Sequence, residues 1–169
     1  GSLDVAFNNA GTAIVAPAEE MSYEDLTSII DLNVVGLFVC CQEEAKVMIP
    51  QKSGSIINMA SMSAHVVNLP QKTSNYNASK AAVVQLTKNL AVEWAPHNVR
   101  VNVVSPGYHL TELAKSFSDE LINMWREKIP MQRIADPSEL AGSILFLASD
   151  ASSYCTGMEM IIDGGYTLW

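Results

Sequence analysis

Four short, nearly continuous apolar runs alternate along this chain with long helical periodicities, and that alternation most constrains the fold. The runs cover residues 3–8, 55–60, 99–104 and 158–162. They close on Asn8, Ala60, Ser105 and Asp163, each small or polar. In between, Val34, Leu37, Phe38, Cys41, Ala45 and Met48 recur in steps of three and four, the spacing of one helical face. Ser22 ahead of Tyr23-Glu24-Asp25 predicts a helix N-cap with acids in its first turn. A second long helix is predicted over 76–94, with Ala82, Val83, Leu86, Leu90 and Trp94 aligned, and further helices over 118–128 and 137–148. Pro50 and Gly54 are expected to end the first long helix and Pro96 the second. Strands separated by helices pair in parallel, and continuous apolar character fits burial on both faces. The expected class is therefore α/β: a three-layer parallel sheet of about four strands, flanked by helices on both faces. Ligands of such sheets bind beyond the carboxyl ends of the strands, so the functional residues are expected there.

The chemistry-bearing string is Tyr76-Asn77-Ala78-Ser79-Lys80. Tyr and Lys at i and i+4 share a helix face. A neighbouring ammonium favours the phenolate, so the sequence predicts a Tyr76 pKa below the ordinary value near 10 and an acid/base usable near neutrality. Ser61 and Ser63 precede Tyr76 by 15 and 13 residues, at the end of the second strand. Either hydroxyl could hold a carbonyl oxygen. Ser61 adjoins the strand and is the more rigidly anchored. Asn33 lies between two helical segments, where its side chain could interrupt the helix and hold a water leading to Lys80.

Other chemistries are disfavoured. Of 169 residues, 49% are hydrophobic and 17% charged, too apolar for a disordered chain and consistent with one domain over 1–169. The net charge of −8, without any Lys/Arg run, argues against nucleic acid and anionic membranes. No apolar stretch approaches the ~20 residues of a membrane span. Cys40, Cys41 and Cys155 form neither a disulfide framework nor a metal-ligand spacing. They read as buried small hydrophobes in a reducing, cytoplasmic compartment, and no metal is expected.

At this point a resemblance becomes specific. Asn8-Asn9-Ala10-Gly11, Asn33-Val34-Val35-Gly36, Ser61 with Tyr76-x-x-x-Lys80, Pro106-Gly107 before Thr111, and Asp163-Gly164-Gly165 occur in this order. The chain resembles the short-chain dehydrogenase/reductase family over essentially all its length. Ala60-Ser61-Met62-Ser63-Ala64-His65, Ser105-Pro106-Gly107-Tyr108, Ile129-Pro130-Met131 and Ile162-Asp163-Gly164-Gly165-Tyr166 bring it nearer the fungal NADP-dependent polyol/ketose reductases acting on mannitol, sorbose or xylulose. The resemblance implies a Rossmann-like fold and interconversion of a secondary alcohol and a ketone. Tyr76 would be the acid/base. Lys80 would lower its pKa and bind ribose hydroxyls, Ser61 would orient the carbonyl, and Asn33 would complete a proton relay. Asn9, Ala10 and Gly11 would pack beside the cofactor's adenosine half, and Pro106 and Gly107 would line the nicotinamide. Thr111 would bond the carboxamide or pyrophosphate. The cofactor would be NADP, with NAD open. The commonest family spacing to the tyrosine selects Ser63 in place of Ser61. His109 would contact substrate or carboxamide, or be a tolerated side chain whose backbone N–H binds; His65 would border the substrate mouth, and His97 would be a turn residue.

The family's strand, T-G-x-x-x-G-x-G turn and helix have no counterpart in this sequence. The expectation is a C-terminal part of a Rossmann domain lacking the first three strands. Its strand at 3–8 would be an open apolar edge, and the chain alone marginally stable. Ala78, Ala81, Ala82, Val84, Leu37 and Val39 put apolar residues on more than one helix face. A homo-oligomer, dimer or tetramer, is expected of the full-length protein. Two other readings stay open: a non-catalytic fragment or pseudoenzyme that dimerises with an intact reductase, and a ketoreductase acting on ketoacyl or polyketide substrates.

Overall fold

In the computed structural model, residues 1–169 are described, the side chain of Leu113 excepted. The four apolar runs become β1 (Val5–Asn8), β2 (Gly54–Met59), β3 (Val99–Pro106) and β4 (Glu159–Ile162). They pair in parallel in the order β1-β2-β3-β4. Ala6 lies against Ile56, Ile56 against Val101, and Val104 against Met160. The helices are α1 (Tyr23–Ile30), α2 (Leu37–Gln51), α3 (Ser74–Trp94), α4 (Glu112–Lys115), α5 (Asp119–Lys128) and α6 (Ala141–Ala148). Ser22 caps α1 as its sequence predicts, its side chain accepting from the Asp25 N–H.

Strand alternation sorts the core into two layers. Ala6, Ile56, Val101 and Val103 pack with Leu37, Cys41 and Met48 of α2 and Val83, Val84 and Leu90 of α3. Ile57 and Val104 face the other way, onto Leu147 of α6. The expected coverage of both faces is therefore met at β2 and β3. At β1 it is not: Val5 and Phe7, on the face opposite Ala6, are each 41% exposed. A third cluster of Met62, Trp125, Ile129, Ile134 and Tyr166 seats α5 against the C-terminal turn, beside the strand ends.

Two local expectations are corrected. Pro50 does not end the first long helix; α2 runs through it to Gln51. A proline so near a helix end costs one backbone bond, and its ring is exposed. The helix stops at Lys52, whose φ of 55° is left-handed and whose N–H bonds the Ile49 carbonyl. Cys40 is exposed, not buried. Cys41 is buried, and that burial pushes its thiol up to about 12. Among the described residues no helix is long and apolar enough to cross a membrane.

Candidate active site

Beyond the carboxyl ends of β1, β2 and β3 lies a cleft of about 630 Å³, bordered by α3, the loop after β1 and the segment 106–125. Asn9, Gly11, Ser61, Ser63, Tyr76, Lys80, Pro106, Gly107, His109 and Thr111 all line it. Thus most of the residues singled out from sequence come together. Ala10 does not line it and His65 does not either; the latter is a correction. The His65 ring hydrogen-bonds Glu159 of β4 at 2.6 Å, outside the cleft. Ser105 donates to the same carboxylate oxygen.

Lys80 is buried to 3% exposure. Its Nζ donates to the Met59 carbonyl at 2.8 Å and sits 5.6 Å from the Tyr76 ring centroid. Burial lowers the ammonium to about 8. The predicted depression of Tyr76 is not found: burial raises the phenol above its ordinary range, while the Ser61 hydroxyl pulls the other way. Desolvation by burial is the leading cause for both groups. Both serines line the cleft with Tyr76. Ser61 also begins the turn Met62–Ala64, its Oγ accepting from the Ser63 N–H at 3.1 Å.

Asn33 is held in one turn of π-helix, Asp31–Gly36, that joins α1 to α2. Its side chain is spoken for. Oδ1 accepts from the Thr12 N–H, and Nδ2 donates to the Thr12 carbonyl and to Ser79 Oγ, all at 2.9 Å. The side chain thus clamps the loop after β1 to α3. A Cβ on Gly11 would lie 3.2 Å from Lys80 Nζ and 3.3 Å from Asn33 Oδ1, so glycine keeps this junction tight. Gly107 is required for a comparable reason: its Cβ would lie 2.6 Å from Asp163 Cα.

Opposite Tyr76 the wall is polar and aromatic, and sequence reasoning missed most of it. Ser61 Oγ donates to Ser63 Oγ at 3.1 Å, and Ser63 Oγ to Asn68 Oδ1 at 2.7 Å. Asn68 Nδ2 donates to the Tyr108 hydroxyl at 3.3 Å, which donates to Gln71 Oε1 at 2.9 Å. Burial pushes the Tyr108 phenol up, so it remains a donor. The Tyr108 ring stacks on Trp125 at 4.2 Å, and Phe117 meets Trp125 edge-on. Tyr108 follows the Pro-Gly turn directly, which was the available signal. Nothing in the sequence placed Asn68, Gln71 or Trp125 here.

The His109 ring bonds the Gly107 carbonyl through Nδ1 at 3.0 Å. A carbonyl only accepts, so Nδ1 carries a proton. Nε2 is buried and unpartnered among the described residues. Thr111 Oγ1 accepts from the Ala114 N–H at the start of α4. An orphaned ring nitrogen, an ammonium with one protein acceptor and a glycine-floored cradle fit the nicotinamide and ribose end of a dinucleotide.

The chain is similar to known proteins over almost all its length. A family model described as enoyl-(acyl carrier protein) reductase matches residues 1–167. A D-arabinitol 2-dehydrogenase (ribulose-forming) of Candida tropicalis is 47% identical over 98% of this chain and 60% of its own length. A sorbose reductase of Schizosaccharomyces pombe is 47% identical over 98% of this chain and 65% of its own. The crystal structure of a gluconate 5-dehydrogenase from Burkholderia cenocepacia, in complex with NADP and tartrate, superposes with a TM-score of 0.95 at 32% identity. That match covers 100% of this chain and 66% of the other. The chain thus spans 60–66% of the length of these relatives.

Proposed function

The chain belongs to the short-chain dehydrogenase/reductase family, and from that membership we propose that it carries the catalytic centre of an NADP(H)-dependent oxidoreductase. The reaction interconverts a secondary alcohol and a ketone, with polyols and ketoses as the substrate class. Support comes from relatives named for arabinitol and sorbose and from a neighbour bound to NADP. The single observation that carries the reading is the convergence of Ser61, Tyr76 and Lys80 on one cleft at the strand ends.

Lys80, Gly11, Pro106, Gly107, His109 and Thr111 would hold the nicotinamide end of the cofactor, which supplies or accepts hydride when bound. Ser61 donates its hydroxyl proton to the substrate oxygen and fixes its place. Tyr76 transfers the proton to that oxygen in reduction and removes it in oxidation. The raised phenol pKa suits it as the acid. Lys80 has donors to spare beyond the Met59 carbonyl, and its charge stabilises the phenolate. Asn33 acts at one remove, by fixing Thr12 and Ser79 around Lys80. Exposed Leu32, Val35 and Val39 beside α2, with Ala81 and Val92 of α3, form a face for a second subunit. Residues 1–169 form one structural unit in this reading.

Tyr76→Phe tests the assignment. Turnover should fall by at least about 10²-fold while NADPH fluorescence titration still reports saturable binding. Turnover retained within a few-fold would remove Tyr76 from the mechanism.

A further inference from the structure

The two serines beside Tyr76 are not equivalent, and their proton order is set from outside the cleft. Ser63 has one hydroxyl proton, given to Asn68 Oδ1 at 2.7 Å. Asn68 is itself 4% exposed, and its amide is oriented by donating to the Tyr108 hydroxyl, which in turn donates to Gln71. Toward Ser61, therefore, Ser63 Oγ is an acceptor, and it accepts the Ser61 proton at 3.1 Å.

Substrate binding disturbs this order. When Ser61 turns its proton to a carbonyl oxygen, Ser63 Oγ loses the donor it had. It cannot answer with its own proton, which Asn68 holds. A buried acceptor is left unpaired unless the substrate brings a donor. A hydroxyl on the carbon next to the carbonyl does so. Its oxygen lies about 3 Å from the carbonyl oxygen, the spacing of a hydrogen-bonded pair and of the two serine oxygens.

We propose that Ser61 and Ser63 form a donor–acceptor pair that reads an α-hydroxy ketone, Ser63 selecting the adjacent hydroxyl and Asn68 acting as the positioning residue that keeps Ser63 an acceptor. This rests on the oxidoreductase reading above and deepens it. The site selects ketones by the hydroxyl beside the carbonyl, and remote hydroxyls contribute nothing to this discrimination.

The test compares kcat/KM for hydroxyacetone and acetone with NADPH, in the chain and in three variants. The two ketones differ in intrinsic electrophilicity, so the readout is the change in their ratio. Ser63→Ala should lower the hydroxyacetone preference about ten-fold, the worth of one hydrogen bond to a buried acceptor. Ser63→Thr keeps the oxygen and should keep the preference within about three-fold. Asn68→Asp can only accept from Ser63, so it preserves the proton order and should also keep it. An unchanged ratio in Ser63→Ala overturns the proposal, as does loss of the preference in Asn68→Asp with Ser63→Thr intact. Failure of the parent chain to reduce either ketone overturns the oxidoreductase reading and this inference with it, a result distinct from the others.

Discussion

Replacing Lys80 by Met should make the chain more stable at neutral pH. Lys80 is 3% exposed, and among the described residues its ammonium has a single protein acceptor, the Met59 carbonyl. Burial lowers its pKa from 10.5 to about 8, which corresponds to roughly 3 kcal/mol of unfavourable charge burial below that pH. Methionine fills a similar volume without a charge. It also strands the Met59 carbonyl, at a cost of about 1 kcal/mol. The net gain is about 2 kcal/mol, or roughly 4–8 °C in Tm for a chain of this size.

The pH dependence separates this cause from a packing effect. The unfolded chain keeps the Lys80 proton up to pH 10.5, whereas the folded chain releases it near 8. Between those values the unfolded state binds more protons, so stability rises with pH. The penalty is complete below about pH 8 and fades toward 10.5. Tyr76, with a raised folded pKa, acts in the opposite sense at higher pH, where its retained proton becomes costly. Cys41, its thiol pushed from 9.0 to about 12, acts in that same sense from pH 9, alike in both proteins, so in urea and thermal unfolding between about pH 7 and pH 9.5 it is the difference between the two that isolates the lysine. The parent should gain stability across that range, and the gap to Lys80→Met should close. A variant less stable than the parent at pH 7, with a parallel pH profile, would refute the reasoning.

Asn33→Ala removes three hydrogen bonds at once and orphans the Thr12 N–H and carbonyl, while Ser79 Oγ keeps its bond to the Tyr76 carbonyl. A loss of about 2–4 kcal/mol is expected by urea unfolding, and a loss under about 1 kcal/mol would show that the clamp is dispensable. In the proposed reaction, alcohol oxidation draws on the Tyr76 phenolate, and burial raises that phenol. The oxidation rate should keep climbing above pH 9, while ketone reduction stays level through neutrality; an oxidation plateau reached below pH 8 would show that burial does not govern the phenol.

What the sequence made legible were the features with a local cause. Strand–helix alternation gives the parallel sheet, and Ser22 caps α1, because both depend on residues within a few positions. The i, i+4 spacing does bring Tyr76 and Lys80 together. The sign of the tyrosine shift was not legible, because it depends on how deeply both groups are buried, a property of the whole packing. His65 illustrates the same limit: its partner, Glu159, is 94 residues away. Pro50 failed as a stop signal for a different reason. It lies one residue before the end of α2, so the helix loses one bond there and the left-handed Lys52 sets the stop.

The junction around Asn33 shows how the fold makes the cleft around Tyr76 and Lys80 rigid. A π-helical turn gives up the regular bonding of an α-helix and is found mostly where a site demands it. Here it lies between α1 and α2, with a fully buried Asn at its centre. The three bonds of that Asn compensate for the irregular turn, and they reach two other elements. One partner is Thr12, directly after Gly11; another is Ser79, directly before Lys80. Gly11 in turn closes on both Lys80 Nζ and Asn33 Oδ1. The ammonium is held by the Met59 carbonyl at the end of β2, and the β1 loop packs close beside it at Gly11. A buried lysine so enclosed has few rotamers to lose when a ligand binds, which favours preorganised binding over later adjustment. The cost of burying its charge and the tightness of its cage follow from the same packing, so relieving one by mutation must loosen the other.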